Sequence, residues 1–143
     1  MRFKKKNELK LILPATKNNI EVAIQTIDKF LFNNNITCKQ ADDIKVAVSE
    51  AFDNVVSHAY TDNNINNKII VDADIFDNKI IITVSDKGIG IQDVAQAKTS
   101  LFTTASHDEH SGMGFTVMEQ YSNAIDIKTK VGSGTKVRLT FKI

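Results

Sequence analysis

Leu9, Leu11 and Leu13 alternate with Lys10 and Ile12 before Pro14, and this period of two predicts a short strand ending at the proline. The rhythm then changes. Ile20, Ala23, Ile24, Ile27 and Leu31 recur at helical spacing, with Asn18 or Asn19 as the expected cap, until NNNIT breaks the pattern. A second helical stripe, Ile44, Ala47, Val48, Ala51 and Val55, predicts a helix from about Ala41 to Tyr60. TDNNINN is a loop by composition, and IIVDADIF and KIIITVSD read as two strands joined at Asp77 and Asn78. From Gly88 to Gly114 no period survives, which points to a long functional lid at about residues 92–111. A short helix over FTVMEQYS and a hairpin, IDIKTK and TKVRLTFKI around GSG, complete the chain.

The order is therefore strand, two helices, two strands, lid, helix, two strands. Three helices are too few to cover both faces of the sheet, so they are expected on one side, as a two-layer α/β sandwich. No repeat or linker divides the 143 residues, which fit a single domain able to bury roughly two-thirds of its unfolded surface. A net charge of +1 removes any bulk electrostatic case for direct binding of nucleic acid or an anionic membrane. The lone cysteine, Cys38, excludes an internal disulfide and suits a reducing compartment. Behind the basic opening MRFKKK no apolar stretch is long enough for a signal peptide or a span, so the expected location is cytoplasmic.

One feature of the second helix is unusual. Glu50, Asn54 and His58 follow one another at four-residue steps, within about 80° of one another on the helix surface. A solvated helix face is the ordinary explanation, and for His58 a histidine satisfied at a helix end. Two glycine motifs change the weighing for the first two residues. DKGIG, Asp86 to Gly90, ends an apolar strand, and SGMG, Ser111 to Gly114, opens the short helix. Neither is a Walker loop or a dinucleotide fingerprint. Each nonetheless allows backbone N–H groups close to an anion, and the second adds the positive end of a helix. Asp86 at a strand end can accept a hydrogen bond from the exocyclic amine of adenine, where guanine presents a carbonyl. Asn54 offers a neutral oxygen to Mg²⁺, and Glu50, one turn away, can take a proton during transfer of a γ-phosphate.

E-x-x-x-N on a helix, D-x-G-x-G after a strand and G-x-G before a helix resemble the three boxes of the GHKL ATPases. That superfamily folds as a Bergerat-type, histidine-kinase-like α/β sandwich, with helices on one face of a mixed sheet and ATP under a mobile lid. Gly132 to Thr135 match a further glycine–threonine element of the superfamily. SEA-x-x-N-x-x-x-H-x-Y, D-x-G-x-G-I, LFTT and SGMGF-x-x-ME, in this order over nearly the whole chain, resemble the anti-sigma factors of Gram-positive bacteria. The sporulation branch matches well and the general-stress branch more loosely. The resemblance implies an ATP-dependent serine-protein kinase that sequesters a sigma factor and phosphorylates an anti-anti-sigma factor on serine, as a homodimer.

Carried over, Glu50 is the catalytic base and Asn54 the Mg²⁺ ligand. Asp86 binds adenine, and Gly88, Gly90, Thr104, Ser111, Gly112, Met113, Gly114 and Thr135 line the nucleotide. The chain also departs from that pattern. ASHDEH between LFTT and SGMG has no Lys or Arg, and His110 stands where the family carries arginine. Lys29 is the sole base between Ile20 and Leu31, where the family has an arginine that contacts sigma. EAFDN replaces EA-x-TN, and HAY replaces HGY. Two other readings stay open: an ATP-liganded partner-switching module with little or no kinase activity, and a detached histidine-kinase-type ATPase domain. No helical hairpin with a phosphoacceptor histidine precedes the domain, which weighs against the second.

Overall fold

A computed structural model of the chain describes residues 4–94 and 114–143. Strand β1 (Lys5–Pro14) leads into helices α1 (Lys17–Asn33) and α2 (Cys38–Asn54), and a π-helical turn at Val55–Ala59 extends α2. Strands β2 (Lys68–Phe76) and β3 (Lys79–Asp86) form the predicted hairpin. Helix α3 (Gly114–Tyr121) and strands β4 (Ala124–Lys130) and β5 (Gly134–Lys142) follow. The five strands make one sheet in the order β1-β2-β3-β5-β4.

All four strand pairings are antiparallel, so the expected mixed sheet is corrected to an antiparallel one. Connectivity explains the difference. Two helices between β1 and β2 return the chain to the end it left, so Pro14 pairs with Lys68 and the strands oppose each other. One helix between β3 and β4 leaves those two strands parallel, but β5 inserts between them and opposes both. The outer strands carry lysines that discourage pairing with another chain, Lys5, Lys6 and Lys10 on β1 and Lys128 and Lys130 on β4.

The helices cover the face on which Ile69, Val71, Ala73 and Ile75 of β2 meet Ile80, Ile82 and Val84 of β3 and Val137, Leu139 and Phe141 of β5, all buried. Period-two alternation on each strand delivers these side chains to one face. The stripes predicted on both helices meet them: Ala23, Ile24, Ile27 and Leu31 of α1 and Ile44, Ala47, Val48 and Ala51 of α2 are buried, joined by Phe52 outside the predicted stripe, while Ile20 is partly buried. Lys45 on α2 reaches Asp28 on α1 at 3.1 Å, a surface pair worth no more than about 1 kcal/mol beside that core.

The helix caps differ from expectation. Thr16, in extended backbone, precedes α1. Asn19 lies inside the first turn, where its amide donates to the Pro14 carbonyl at 2.9 Å, and neither it nor Asn18 is the cap. Asn35, at φ +64°, ends the break after α1, where Ile36 N–H returns to the Leu31 carbonyl. Helix α2 begins three residues before the predicted point, because Thr37 and Gln40 form a reciprocal capping box. No helix among the described residues is long and apolar enough to cross a membrane.

Candidate functional site

Glu50 and Asn54 keep the four-residue register of α2 and converge on the first residue of α3. A Cβ built on Gly114 would stand 3.2 Å from Asn54 Oδ1, 3.3 Å from its Nδ2 and 3.3 Å from Glu50 Oε2. The backbone of the second glycine motif is therefore close against a carboxylate and an amide, both of which a side chain there would have to displace slightly. Asn54 Nδ2 is buried without a hydrogen-bond partner among the described residues. An orphaned amide of this kind costs on the order of 1–3 kcal/mol, and sites that hold a ligand are where such a cost is tolerated. His58 lies on a π turn, of a kind that clusters at functional sites, which starts at Val55 directly after Asn54.

The second cluster lies where β3 ends. Asp86 is the buried charged residue of the described chain, 8% exposed. Burial pushes its carboxyl above the usual range, and the backbone N–H groups of Gly88 and Thr135 oppose that shift. Gly88 N–H donates to Asp86 Oδ1 at 2.9 Å. On either side, Lys87 N–H donates to the Tyr60 hydroxyl at 3.0 Å and Ile89 N–H to the Ala59 carbonyl at 2.8 Å. Ile91 N–H donates to Thr129 Oγ1 at 2.8 Å. The amides of Lys87, Gly88, Ile89 and Ile91 are thus spent within the protein, so these four are not left to cradle an anion. The glycines have a steric reason instead. A Cβ on Gly88 would lie 1.9 Å from the Ala59 carbonyl oxygen, and one on Gly90, at φ +78°, 2.4 Å from that of Lys130. The loop is wedged between the end of α2 and the β4–β5 hairpin, and its product is a fixed carboxylate.

Thr135 faces Asp86 across the β3–β5 pair, and its hydroxyl lies 2.9 Å from that of Thr129. Thr129 also donates to the Gly134 carbonyl at 3.1 Å. Tyr60 and Thr129 support the site and were not singled out from sequence for any role. Tyr60 was visible only as a letter in a motif, and Thr129 gave no signal. Thr104, Ser111, Gly112 and Met113, with most of the lid, lie outside the described residues. Among those described, no group of three or more His, Cys, Asp or Glu side chains could cage a metal ion. A cation here would take one amide oxygen from Asn54 and the rest of its shell from phosphates and water, which suits Mg²⁺. The arrangement therefore joins a carboxylate and an amide suited to phosphate chemistry with a buried acceptor suited to an amino-bearing base.

Residues 13–141 match the histidine kinase-like ATPase domain family. The chain is 40% identical over 140 residues to the anti-sigma F factor of Caldanaerobacter subterraneus, covering 98% of this chain and 95% of that protein. It is 36% identical over 135 residues to the anti-sigma F factor of Bacillus subtilis, covering 94% and 92%. Two solved structures share the fold. The RsbU and RsbW domains of a Mycobacterium tuberculosis protein superpose with a TM-score of 0.71 at 21% identity, over 95% of this chain and 32% of that one. The SiaB–SiaC complex of Pseudomonas aeruginosa gives 0.65 at 16% identity, over 93% and 88%. Fold likeness at such identities extends to several kinds of regulator, whereas identity of 36–40% over nearly the full chain is narrower: the protein belongs to the anti-sigma F factor family, within the histidine kinase-like ATPase domains.

Proposed function

We propose that this protein is a cytoplasmic anti-sigma factor that uses ATP and Mg²⁺ to phosphorylate an anti-anti-sigma partner on serine, and that it works as a homodimer. The observation that carries the kinase reading is the convergence of Glu50 and Asn54 on the backbone of Gly114. In this reading Asp86 accepts a hydrogen bond from the adenine amine, and Thr135 stands beside it. Asn54 contributes its amide oxygen to Mg²⁺, which neutralises phosphate charge when bound. Glu50 removes the proton from the partner's serine hydroxyl as that oxygen meets the γ-phosphorus, leaving phosphoserine and ADP. The names of the relatives support sigma as the sequestered partner, and the SiaB–SiaC complex supports capture of a second protein by this fold.

The test is incubation with Mg-ATP and a purified anti-anti-sigma partner, followed by mass spectrometry of the partner. Phosphoserine with the parent, reduced on the order of 10²–10⁴-fold by Glu50→Gln at unchanged ATP affinity, is the expected result. Nucleotide binding and sigma capture without any phosphoserine would overturn the kinase reading in favour of a partner-switching module. The absence of Lys and Arg from Ala105 to His110 makes that second outcome worth measuring.

A further inference from the structure

Tyr60 is the last residue of the SEA-x-x-N-x-x-x-H-x-Y motif, and the chemistry outlined above gives it no task. Its surroundings do. The phenol hydroxyl donates to the Lys68 carbonyl at 2.5 Å and accepts the Lys87 N–H at 3.0 Å. One oxygen thereby ties the residue after α2 and its π turn to the start of β2 and to the peptide unit immediately after Asp86. The next two amides are also held, Gly88 N–H by Asp86 Oδ1 and Ile89 N–H by the Ala59 carbonyl. Three successive N–H groups following the buried carboxylate are fixed, and two of the three acceptors belong to residues 59 and 60.

We infer that Tyr60 is a positioning residue for base recognition, its hydroxyl holding the backbone beyond Asp86 so that the carboxylate stays aimed at the exocyclic amine of the nucleotide. This deepens the adenine-nucleotide reading and rests on it. A carboxylate selects adenine over guanine only while it is held in line with the amine, and Asp86 is held by the N–H groups of Thr135, across the sheet, and Gly88, in the loop. The Tyr60 hydroxyl fixes the peptide unit between Asp86 and Gly88, and so the loop side of that grip. The hydroxyl is suited to a permanent tie: burial and the nearby Asp86 charge raise its pKa above the usual phenol range, so it remains a donor to Lys68 at neutral pH. The tie also reaches the phosphate end, because Asn54 immediately precedes the π turn that delivers Ala59 and Tyr60. Lys87 is exposed, so water can replace the acceptor its N–H loses in Tyr60→Phe, and the thermal melt reads the cost at the part-buried Lys68 carbonyl, which loses its donor.

The experiment measures ATP and GTP affinity of the full chain by calorimetry for the parent and Tyr60→Phe, with thermal unfolding of the nucleotide-free proteins and amide hydrogen exchange at Lys87. Tyr60→Phe is expected to weaken ATP about three- to tenfold, the worth of one hydrogen bond, while GTP affinity holds and Lys87 exchanges faster. The preference for ATP therefore narrows. A parent that prefers ATP together with a Tyr60→Phe protein that keeps the same ATP-to-GTP ratio would overturn the positioning role alone. Equal loss for both nucleotides, accompanied by a lower unfolding temperature, would also overturn it and make Tyr60 structural. A parent that does not distinguish ATP from GTP would overturn the adenine reading itself, and the positioning role with it.

Discussion

Asp86 is a carboxylate kept almost out of reach of water, and that placement costs the nucleotide-free protein something. Its folded pKa is raised by burial, so its contribution favours folding most at low pH and is lost as pH rises through the raised value. At neutral pH the ionised group is a burden, which a bound amine would relieve. Asp86→Asn keeps an acceptor for Gly88 and removes the charge. It is expected to raise the unfolding temperature of the nucleotide-free protein at pH 7 by a few degrees in a thermal melt, while weakening ATP roughly ten- to a hundredfold. ATP affinity of the parent should also fall as pH is lowered from neutral toward the raised Asp86 value, measured by titration at fixed ionic strength. Gly114→Ala separates two demands at the other cluster. Its methyl would press on Glu50 and Asn54 together, so phosphoryl transfer should fall at least tenfold with little change in the melt. Glu50, Asn54 and Asp86 were legible in the sequence because a four-residue step and a strand-ending D-x-G-x-G leave marks in the chain. Tyr60 and Thr129 were not. They act on backbone atoms 8, 27 and 38 residues away, and contacts at such separations leave no local pattern.

At the scale of elements, α2 carries the most. It buries Ile44, Ala47, Val48, Ala51 and Phe52 on one side and offers Glu50 and Asn54 to α3 on another. Its start is set by the Thr37–Gln40 box, whose cap lies seven residues ahead of Ile44, the first residue of the apolar stripe that identifies the helix. Thr37→Ala should cost about 1 kcal/mol, a shift of roughly 2–4 °C in a melt, and leave nucleotide affinity unchanged because the cap lies at the end of α2 away from Asn54. The other end could not be read in advance. A stripe of Ala51, Val55 and Ala59 fits an α-helix and a π turn equally well, since apolar periodicity over one turn does not resolve the two. Either way the helix ends at Ala59, whose carbonyl accepts from Ile89 N–H.

For the molecule as a whole, the elements and their order followed from period alone, whereas the sense of the sheet depended on how β5 enters it. The proposed adenine end and the proposed phosphate end stand on different elements, so a single ligand touching both should stabilise all of them. At a concentration of about 100 times its Kd, Mg-ATP is expected to add about 2.7 kcal/mol to unfolding. Chelation of Mg²⁺ should reverse most of that gain in the same thermal assay, and an ATP shift indifferent to chelator would remove the cation from the site. The position of β5 also has a bearing on synthesis. Asp86 emerges from the ribosome long before Thr135, its neighbour across the sheet, and until then β3 has one side unpaired. Translation must therefore run past the β4–β5 hairpin before an affinity for nucleotide can exist. A nascent chain stalled at Lys130 would present Ile80, Ile82 and Val84 on an open strand and depend on chaperones to stay soluble.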